Sequence, residues 1–487
     1  MTTEETPSAE FDAILDRAAQ AAPTIAATTP RQRAEWLDRA ADALDANAAM
    51  LLPLAIEESH LTEDRLAGEL RRTTFQLRLF GEVIREGAFL QATIDHADPD
   101  WPMGARPDLR RMMRPLGPVA VFAASNFPFA FSVAGGDTAS AIAAGCPVVV
   151  KLNPGHPRLS RRVGDLVASA MQEAGAPAGT LALVSGMQTG RALVLDPRIT
   201  AASFTGSLAG GRALFDLATS RPDPIPFYGE LGSVNPAFVT EQASLMRAED
   251  IATGFVGSVS LGVGQFCTKP GLLFVPAGSA IPDIAARVAA ERSGAAMLNE
   301  RIREGYGTSL GNLAAHPEVT VLAGSADPGI DPAPTLLLAT AKAFLASDGA
   351  LATESFGPTG LIVSYESDEE LLAAAESFEG QLTATVQGEG DETVVPALLA
   401  ALADRAGRVL WNGWPTGVSV TYAMQHGGPY PATTASQGTS VGTTAIDRFL
   451  RPVSYQGVPD ALLPPPVRDG NPWSLPRRID GRMVLPS

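Results

Sequence analysis

The sequence predicts an α/β protein built on parallel sheets covered on both faces. Three observations carry that prediction. The chain has 487 residues, too many for one ordinary core and enough for two to three domains. From Gly117 onward, short apolar runs alternate with helix-like stretches. The runs are continuous rather than alternating in polarity, as in strands buried on both faces. A second alternating series follows from about Leu231 to Tyr430.

Taken in order, Phe11 to Ile56 predicts two amphipathic helices with a break within Pro23 to Pro30. Thr28-Thr29-Pro30 is a helix start, with Thr29 as N-cap and Pro30 in the first turn, where its missing N–H is no loss. Leu61 to Ala88 is a further helical region, and Asp95 to Asp108, rich in Pro, Asp and Gly, is a loop. Strands are predicted at Pro118 to Ala123, Pro147 to Lys151 and Leu181 to Val184, with helices at Asp137 to Gly145 and Arg158 to Ala174. Ala201 to Thr205 is a strand that runs through Gly206-Ser207 into a helix. In the second series, strands are expected at Gly271–Val275, Thr320–Ala323, Gly360–Val363, Leu382–Val386 and Arg408–Trp411. The tail, Arg451 to Ser487, is rich in Pro and Arg and is expected to wrap a neighbour or an edge.

Composition narrows the function. A hydrophobic content of 45% with 18% charged residues describes a globular chain. A net charge of -17 argues against nucleic acid, which needs basic surface, and against anionic membranes. Met1 to Glu10 is polar and acidic, unlike a signal peptide. No apolar run approaches the ~20 residues of a membrane span. Two cysteines, Cys146 and Cys267, make no disulfide framework, so a cytoplasmic, reducing compartment is expected. The five histidines lack metal-ligand spacing, so no metal site is expected. Lys151, Lys269 and Lys342 are the only lysines, which makes one at a strand end conspicuous.

Cys267 lies in Gly264-Gln265-Phe266-Cys267-Thr268-Lys269-Pro270-Gly271, between a helix-like run (Asp250 to Val263) and a strand-like one (Leu272 to Val275). A thiol among Gly, Gln, Thr and Lys is not placed as a core residue would be. Its thiolate is the reactive form, which nearby cations or a helix N-terminus would favour. Cys146, between Gly145 and Pro147 at the entrance to a buried strand, reads as structural.

Six motifs then occur in order: Ser125-Asn126-Phe127-Pro128-Phe129, Val150-Lys151, Phe204-Thr205-Gly206-Ser207, Glu230-Leu231-Gly232, Gly264-Gln265-Phe266-Cys267 and Glu354-Ser355-Phe356-Gly357-Pro358. Together they resemble the aldehyde dehydrogenase superfamily over nearly the whole chain. Gln265 to Gly271, Pro154-Gly155-His156-Pro157 and His426 to Thr433 resemble its α-ketoglutaric semialdehyde (2,5-dioxovalerate) dehydrogenase branch and the NADP-using fatty-aldehyde relatives. The resemblance implies two doubly wound domains, one Rossmann-like for the cofactor and one catalytic, plus a small β oligomerisation extension. It places the NAD(P)-binding domain at 1–104 and 115–232, the catalytic domain at 233–435, and bridging segments at 105–114 and 436–487. A homodimer or homotetramer is implied.

By the same resemblance, Cys267 is the nucleophile that forms a thiohemiacetal with the aldehyde. Asn126, with the Cys267 backbone N–H, holds the oxyanion. Read alone, Asn126 is a turn residue before Phe127-Pro128. Glu230 is the general base for thioester hydrolysis, and its apolar surroundings predict a raised pKa. The cofactor segment lacks a clean Gly-x-Gly-x-x-Gly. Gly206, Ser207 and Gly211 instead open a helix whose small residues would let a pyrophosphate approach. Lys151 resembles the contact to the adenosine ribose, and Glu354 with Phe356 the pair that holds the nicotinamide riboside.

Many NAD-preferring members carry a glutamate three residues after the lysine, where this chain has Pro154. That change removes a repulsion from a 2'-phosphate, and His156 or Arg158 could add attraction, so NADP is expected as cofactor with NAD possible. A dicarbonyl acid also needs a cation for its carboxylate. Phe131, Ser132, Thr268 and Val418 fall where tunnel residues lie, and none is basic. Arg71, Arg72 and Arg78 are candidates that read first as a solvated helix face. Trp411-Asn412-Gly413-Trp414-Pro415 reads as site mouth or plain packing. Two other readings stay open: oxidation of medium- or long-chain aldehydes, and a non-redox thiol esterase, which requires a histidine beside Cys267.

Overall fold

Continuous apolar runs become the central strands of two parallel sheets. A computed structural model describes residues 4–486; the first three residues of the acidic N-terminal stretch and the last residue of the tail lie outside them. The first sheet has the order Leu181–Val184, Val148–Lys151, Val119–Phe122, Ala201–Thr205, Phe227–Glu230, all parallel. Chain order reverses between Val119–Phe122 and Ala201–Thr205. The crevice at the carboxyl ends of these two strands is therefore the topological switch point where ligands bind in open parallel sheets.

The second sheet has the order Thr320–Ala323, Thr335–Thr340, Thr359–Tyr365, Leu272–Pro276, Ala237–Val239, Gln381–Gln387, Ala406–Trp411. Its six inner and far strands are parallel, and Thr320–Ala323 runs antiparallel at one edge. The inner strand Gln381–Gln387, next to the edge strand Ala406–Trp411, is buried at every position, as a strand covered on both faces must be. A third sheet, Leu450–Gln456, Leu109–Pro115, Thr93–Asp95, Arg477–Ile479, Arg482–Val484, forms the small β extension. The tail does cover an edge, as expected: its strand Arg477–Ile479 pairs in parallel with Thr93–Asp95.

The N-terminal region departs from expectation. Phe11 to Ile56 is covered by three helices rather than two: α1 (Ser8–Ala27), α2 (Pro30–Ala46) and α3 (Ala48–Ser59). Asn47 separates the last two with only one non-helical residue, which hydrophobic periodicity does not register. The predicted start at Thr29 is present as a full capping box, with Thr29 and Gln32 bonding each other's backbone N–H. Next, α4 (Glu63–Glu86) packs one face on α2 and ends at Gly87, whose φ of 83° is a left-handed cap. Among the described residues, no helix is long and apolar enough to cross a membrane.

The capping box makes a test of α2. Thr29→Ala removes the side-chain acceptor for the Gln32 N–H. It should cost about 1 kcal/mol and lower the thermal midpoint by roughly 1–2 °C in a chain of this size. Circular dichroism melts that superimpose on wild type would show the cap contributes nothing.

Candidate active site

Four segments meet around Cys267. The first is the carboxyl end of Phe227–Glu230, which delivers Glu230. The second is the turn Leu261–Gly264 that follows the helix Glu241–Ser260 and leads into Cys267. Here Gly264 is indispensable. Its φ is 65°, and a Cβ would lie 2.2 Å from the Gly357 carbonyl oxygen, so only glycine lets the cysteine loop pass the 354–358 loop. Val263, at φ 57°, is held in the left-handed region although β-branched, at a cost of about 1–3 kcal/mol. The third segment carries Asn126, whose Nδ2 donates to the Gln265 carbonyl at 3.1 Å. The fourth is the irregular stretch from His426 to Ser440.

His426 is the residue that sequence reasoning missed. Its Nε2 lies 2.9 Å from Glu230 Oε1 and 3.6 Å from Cys267 Sγ. Ser440 Oγ donates to the other carboxylate oxygen of Glu230, and the Cys267 thiol bonds the same carboxylate. Thiol, imidazole and carboxylate atoms all lie within 4.8 Å of one another. That trio of metal-ligating types was invisible to histidine spacing, because its members are 37 to 196 residues apart. Nε2 is the ring nitrogen that faces Glu230, and Nδ1 is buried without a partner among the described residues.

The electrostatics reverse two expectations. Glu230 is 4% exposed. Burial alone would push its carboxyl up, but His426, Ser440 and the Cys267 thiol hold it below the ordinary value. Cys267 in contrast is pushed well above the usual thiol range by burial, with Glu230 and Glu354 adding to the effect and Arg408 opposing it. The loop is therefore not a thiolate-stabilising cradle. It holds a thiol that favours its proton against a carboxylate that favours its charge. Cys146 is inert by comparison: fully buried and pushed up to about 11.

Glu354 is held beside Lys269, with Ser233 N–H donating to it. Burial pushes the Glu354 carboxyl up to about 7 and the Lys269 ammonium down to about 8. Lys269 Nζ also donates to the Ser355 and Thr359 carbonyls at 2.7 and 2.8 Å, pinning the loop that contains Phe356. A Cβ on Gly232 would meet Glu354 Oε2 at 2.5 Å, so that glycine is a seat for the carboxylate.

The switch-point crevice fits a dinucleotide. Gly206 to Ala209 are exposed, and Ser207 Oγ caps the helix Leu208–Thr219 by accepting from Gly210 N at 3.3 Å, leaving the open helix end that a diphosphate favours. Lys151 stands half-buried at a neighbouring strand end. The glycines at this helix start also have a packing role. A Cβ on Gly206 would strike the Phe204 ring at 2.7 Å and one on Gly211 the Leu231 side chain at 2.0 Å, so both are small for protein packing. A further carboxylate enters here unannounced. Glu5 accepts from Gln188 N and Thr189 N at 3.0 and 2.8 Å, and its charge reaches Lys151.

The candidate tunnel residues differ in setting. Ser132 and Thr268 are buried, Phe131 and Val418 half-buried, with Val418 beside Leu79, Val420, Val441 and Met424 in an apolar wall. Trp414 packs on Phe255 at 5.8 Å, whereas Trp411 is 43% exposed. Arg71 is exposed, and Arg78 pairs with Asp42 and Asp45 at the surface, as a solvated face predicts. Arg72 departs from that reading: its Nη1 is buried, and its charge reaches Cys267 and Glu230.

A profile of the aldehyde dehydrogenase family matches residues 1–452. The chain is 46% identical to α-ketoglutaric semialdehyde dehydrogenase 2 of Azospirillum brasilense over 92% of this chain and 87% of that protein. It is 43% identical to α-ketoglutaric semialdehyde dehydrogenase of Acinetobacter baylyi over 97% and 91%. Among solved structures, 3,6-anhydro-L-galactose dehydrogenase aligns with a TM-score of 0.78 at 23% identity, covering 93% of this chain and 92% of that one. PnpE in complex with nicotinamide adenine dinucleotide aligns with 0.76 at 23% identity, covering 92% and 89%. These two likenesses bear on the fold.

The protonated thiol gives a pH test. Cys267 alkylation by iodoacetamide should be slow at pH 7 and keep rising above pH 9, because the folded thiol pKa is raised. Glu230→Gln removes the neighbouring anion and should accelerate alkylation at pH 7. A rate already at its plateau at pH 7 in wild type would contradict the raised thiol. Glu230 itself has a lowered folded pKa. Its stabilising contribution is full above the unfolded value and fades as pH falls through the folded one. His426→Gln should therefore move the acid unfolding midpoint upward, and an unmoved midpoint would mean His426 does not hold the anion.

Proposed function

From the membership of this chain in the aldehyde dehydrogenase family, we propose that it oxidises 2,5-dioxovalerate (α-ketoglutarate semialdehyde) to 2-oxoglutarate with a nicotinamide cofactor. The observation that carries the reading is the cluster of a half-buried Cys267 with the buried His426 and Glu230. Relatives 46% and 43% identical bear that substrate in their names.

In this mechanism Glu230 takes the Cys267 proton as sulphur attacks the aldehyde carbon. The Asn126 amide and the Cys267 backbone N–H face the oxyanion that forms. A bound nicotinamide would supply the hydride acceptor that takes the Cys267 thiohemiacetal to a thioester. Glu230 passes the first proton to solvent and, ionised again, removes a proton from the water that attacks the thioester, while His426 Nε2 faces the carboxylate in both steps. The carboxylate product leaves and Cys267 regains its proton. Lys151, Ser207 and the open helix end hold the adenosine and diphosphate portions, while Glu354 and Phe356 hold the nicotinamide riboside. Segments 1–104 and 115–232 form the cofactor-binding unit and 233–435 the catalytic one. Segments 105–114 and 436–487 bridge subunits of a homodimer or homotetramer.

NADP is the proposed cofactor, with NAD also used. Pro154 leaves no carboxylate after Lys151 to repel a 2'-phosphate. Glu5 opposes it, because its charge stands near Lys151. The thiol-esterase reading finds its required histidine in His426, but the family and the open helix end favour redox chemistry.

The test is a steady-state assay of 2,5-dioxovalerate, succinic semialdehyde and pentanal with each cofactor. The kcat/KM for 2,5-dioxovalerate should exceed that for pentanal at least tenfold, or about 1.4 kcal/mol. The reverse order would make an apolar aldehyde the substrate. Cys267→Ser should lose on the order of 1000-fold. Glu5→Gln should raise the NADP-to-NAD ratio of both kcat/KM and binding affinity, and an unchanged ratio would remove Glu5 from cofactor choice.

A further inference from the structure

The inner face of α4 carries Arg65, Glu69, Arg72 and Gln76, spaced i, i+4, i+7 and i+11 so that they form one stripe. Polar residues on a buried helix face should find partners. Here each leaves one buried polar atom unpartnered: Arg65 Nη1, Glu69 Oε2, Arg72 Nη1 and Gln76 Nε2. Their other bonds are structural. Arg65 donates to the Asn126 carbonyl at 2.6 Å and lies over Phe127 and Phe266, at 4.9 and 4.3 Å. Glu69 accepts from Phe129 N and Ala130 N at 2.8 and 3.0 Å, fixing the loop after Asn126. Arg72 lies 5.2 Å over the Phe131 ring, which also neighbours Phe127 at 5.3 Å and His426 at 6.4 Å.

We propose that Arg72, assisted by Arg65 and Gln76, is the subsite for the carboxylate of an ω-oxo acid substrate. The inference rests on the dioxovalerate reading and names the group that carries its selectivity. Two arginines against one glutamate leave the stripe cationic even with Glu69 ionised, and burial pushes the Glu69 carboxyl up. A guanidinium fork without a protein acceptor is built for a bidentate carboxylate. Arg72 is close enough to feel the charges of Cys267 and Glu230. A short substrate can therefore present its aldehyde to the thiol and its carboxylate to α4. The apolar wall of Leu79, Val418 and Val420 flanks the chain between them. Gln76, near Gly136, has an amide free to donate to the 2-oxo group.

The experiment compares 2,5-dioxovalerate with pentanal in wild type, Arg72→Met and Arg72→Lys, with glutarate as a dead-end probe. In Arg72→Met the ratio of the two kcat/KM values should fall on the order of 100-fold, mainly through KM for the acid. Arg72→Lys keeps the charge but loses the fork, and should fall between. Glutarate should inhibit wild-type pentanal oxidation competitively, and Arg72→Met should relieve that inhibition. A loss shared equally by both substrates would make Arg72 structural and overturn the proposal. A wild type that prefers the acid, with Arg72→Met keeping that ratio and its glutarate inhibition, would overturn the anchor and leave the dioxovalerate reading intact. A wild type that prefers pentanal would overturn that reading, and if glutarate also fails to inhibit it, the anchor falls too. Because wild-type inhibition by glutarate needs no variant, a misfolded Arg72→Met leaves the proposal exposed to refutation.

Discussion

The ionised Glu230 carboxylate is the constraint around which the site is organised. Moving an unpaired carboxylate into a protein interior costs several kcal/mol, so a side chain only 4% exposed must be given donors. His426 and Ser440 supply two, and both come from one irregular stretch that the backbone ties to the same strand. Leu231 N donates to the Ala432 carbonyl at 2.8 Å, Thr434 N to the Gly229 carbonyl at 3.0 Å, and Glu230 bridges Thr433. Within the stretch, His426 N donates to Thr439 Oγ1 at 2.8 Å, and Ser440 N to the His426 carbonyl at 2.9 Å. The loop can be irregular because its polar groups are paired. Misplacing any part of it would strip a donor from a buried charge.

The same carboxylate explains why the thiol is not already ionised. An anion beside a buried sulphur opposes a second negative charge. A resting enzyme with a protonated thiol is protected from adventitious oxidation, because the thiolate is the oxidisable form. In the proposed mechanism the reactive sulphur arises as a carbonyl accepts the electron pair and the proton leaves. Sequence reasoning looked for cations and a helix N-terminus around Cys267. The structure supplies a base, and Arg408 is a secondary influence.

What could be read from the sequence follows the range of the interaction. Strands such as Val119–Phe122 were legible because burial on both faces writes a continuous apolar run. Thr335–Thr340 was passed over, although Pro332 and Pro334 precede it and four of its six positions are buried, because it runs without a break into the helix Ala341–Ala346. Cys267 was legible from its immediate flanks. His426 stood in a recognised motif without a role, since nothing local says that it meets Glu230 across 196 residues. Arg72 was misread for a simpler reason. It sits between exposed Arg71 and the surface-paired Arg78, and an amphipathic pattern gives no sign that a polar stripe faces inward. Apolar periodicity finds the core of a helix, but a buried stripe of charges looks the same in sequence as a wet one.

That inward stripe and the Lys269–Glu354 pair show one economy of design on opposite sides of the thiol. On one side, Lys269 donates to two carbonyls and feels the charge of Glu354, so its own charge is spent on holding a loop. On the other, Arg72 has no protein acceptor. Both cations are buried, yet only the paired one is explained by the protein alone. A buried group left with a donor is costly unless something else completes it, and the missing partner must be anionic, small and present during turnover. A substrate carboxylate meets all three conditions. Selectivity for an acid over a plain alkanal would then come from satisfying a donor that an apolar chain leaves bare, the kind of discrimination that shape alone cannot provide.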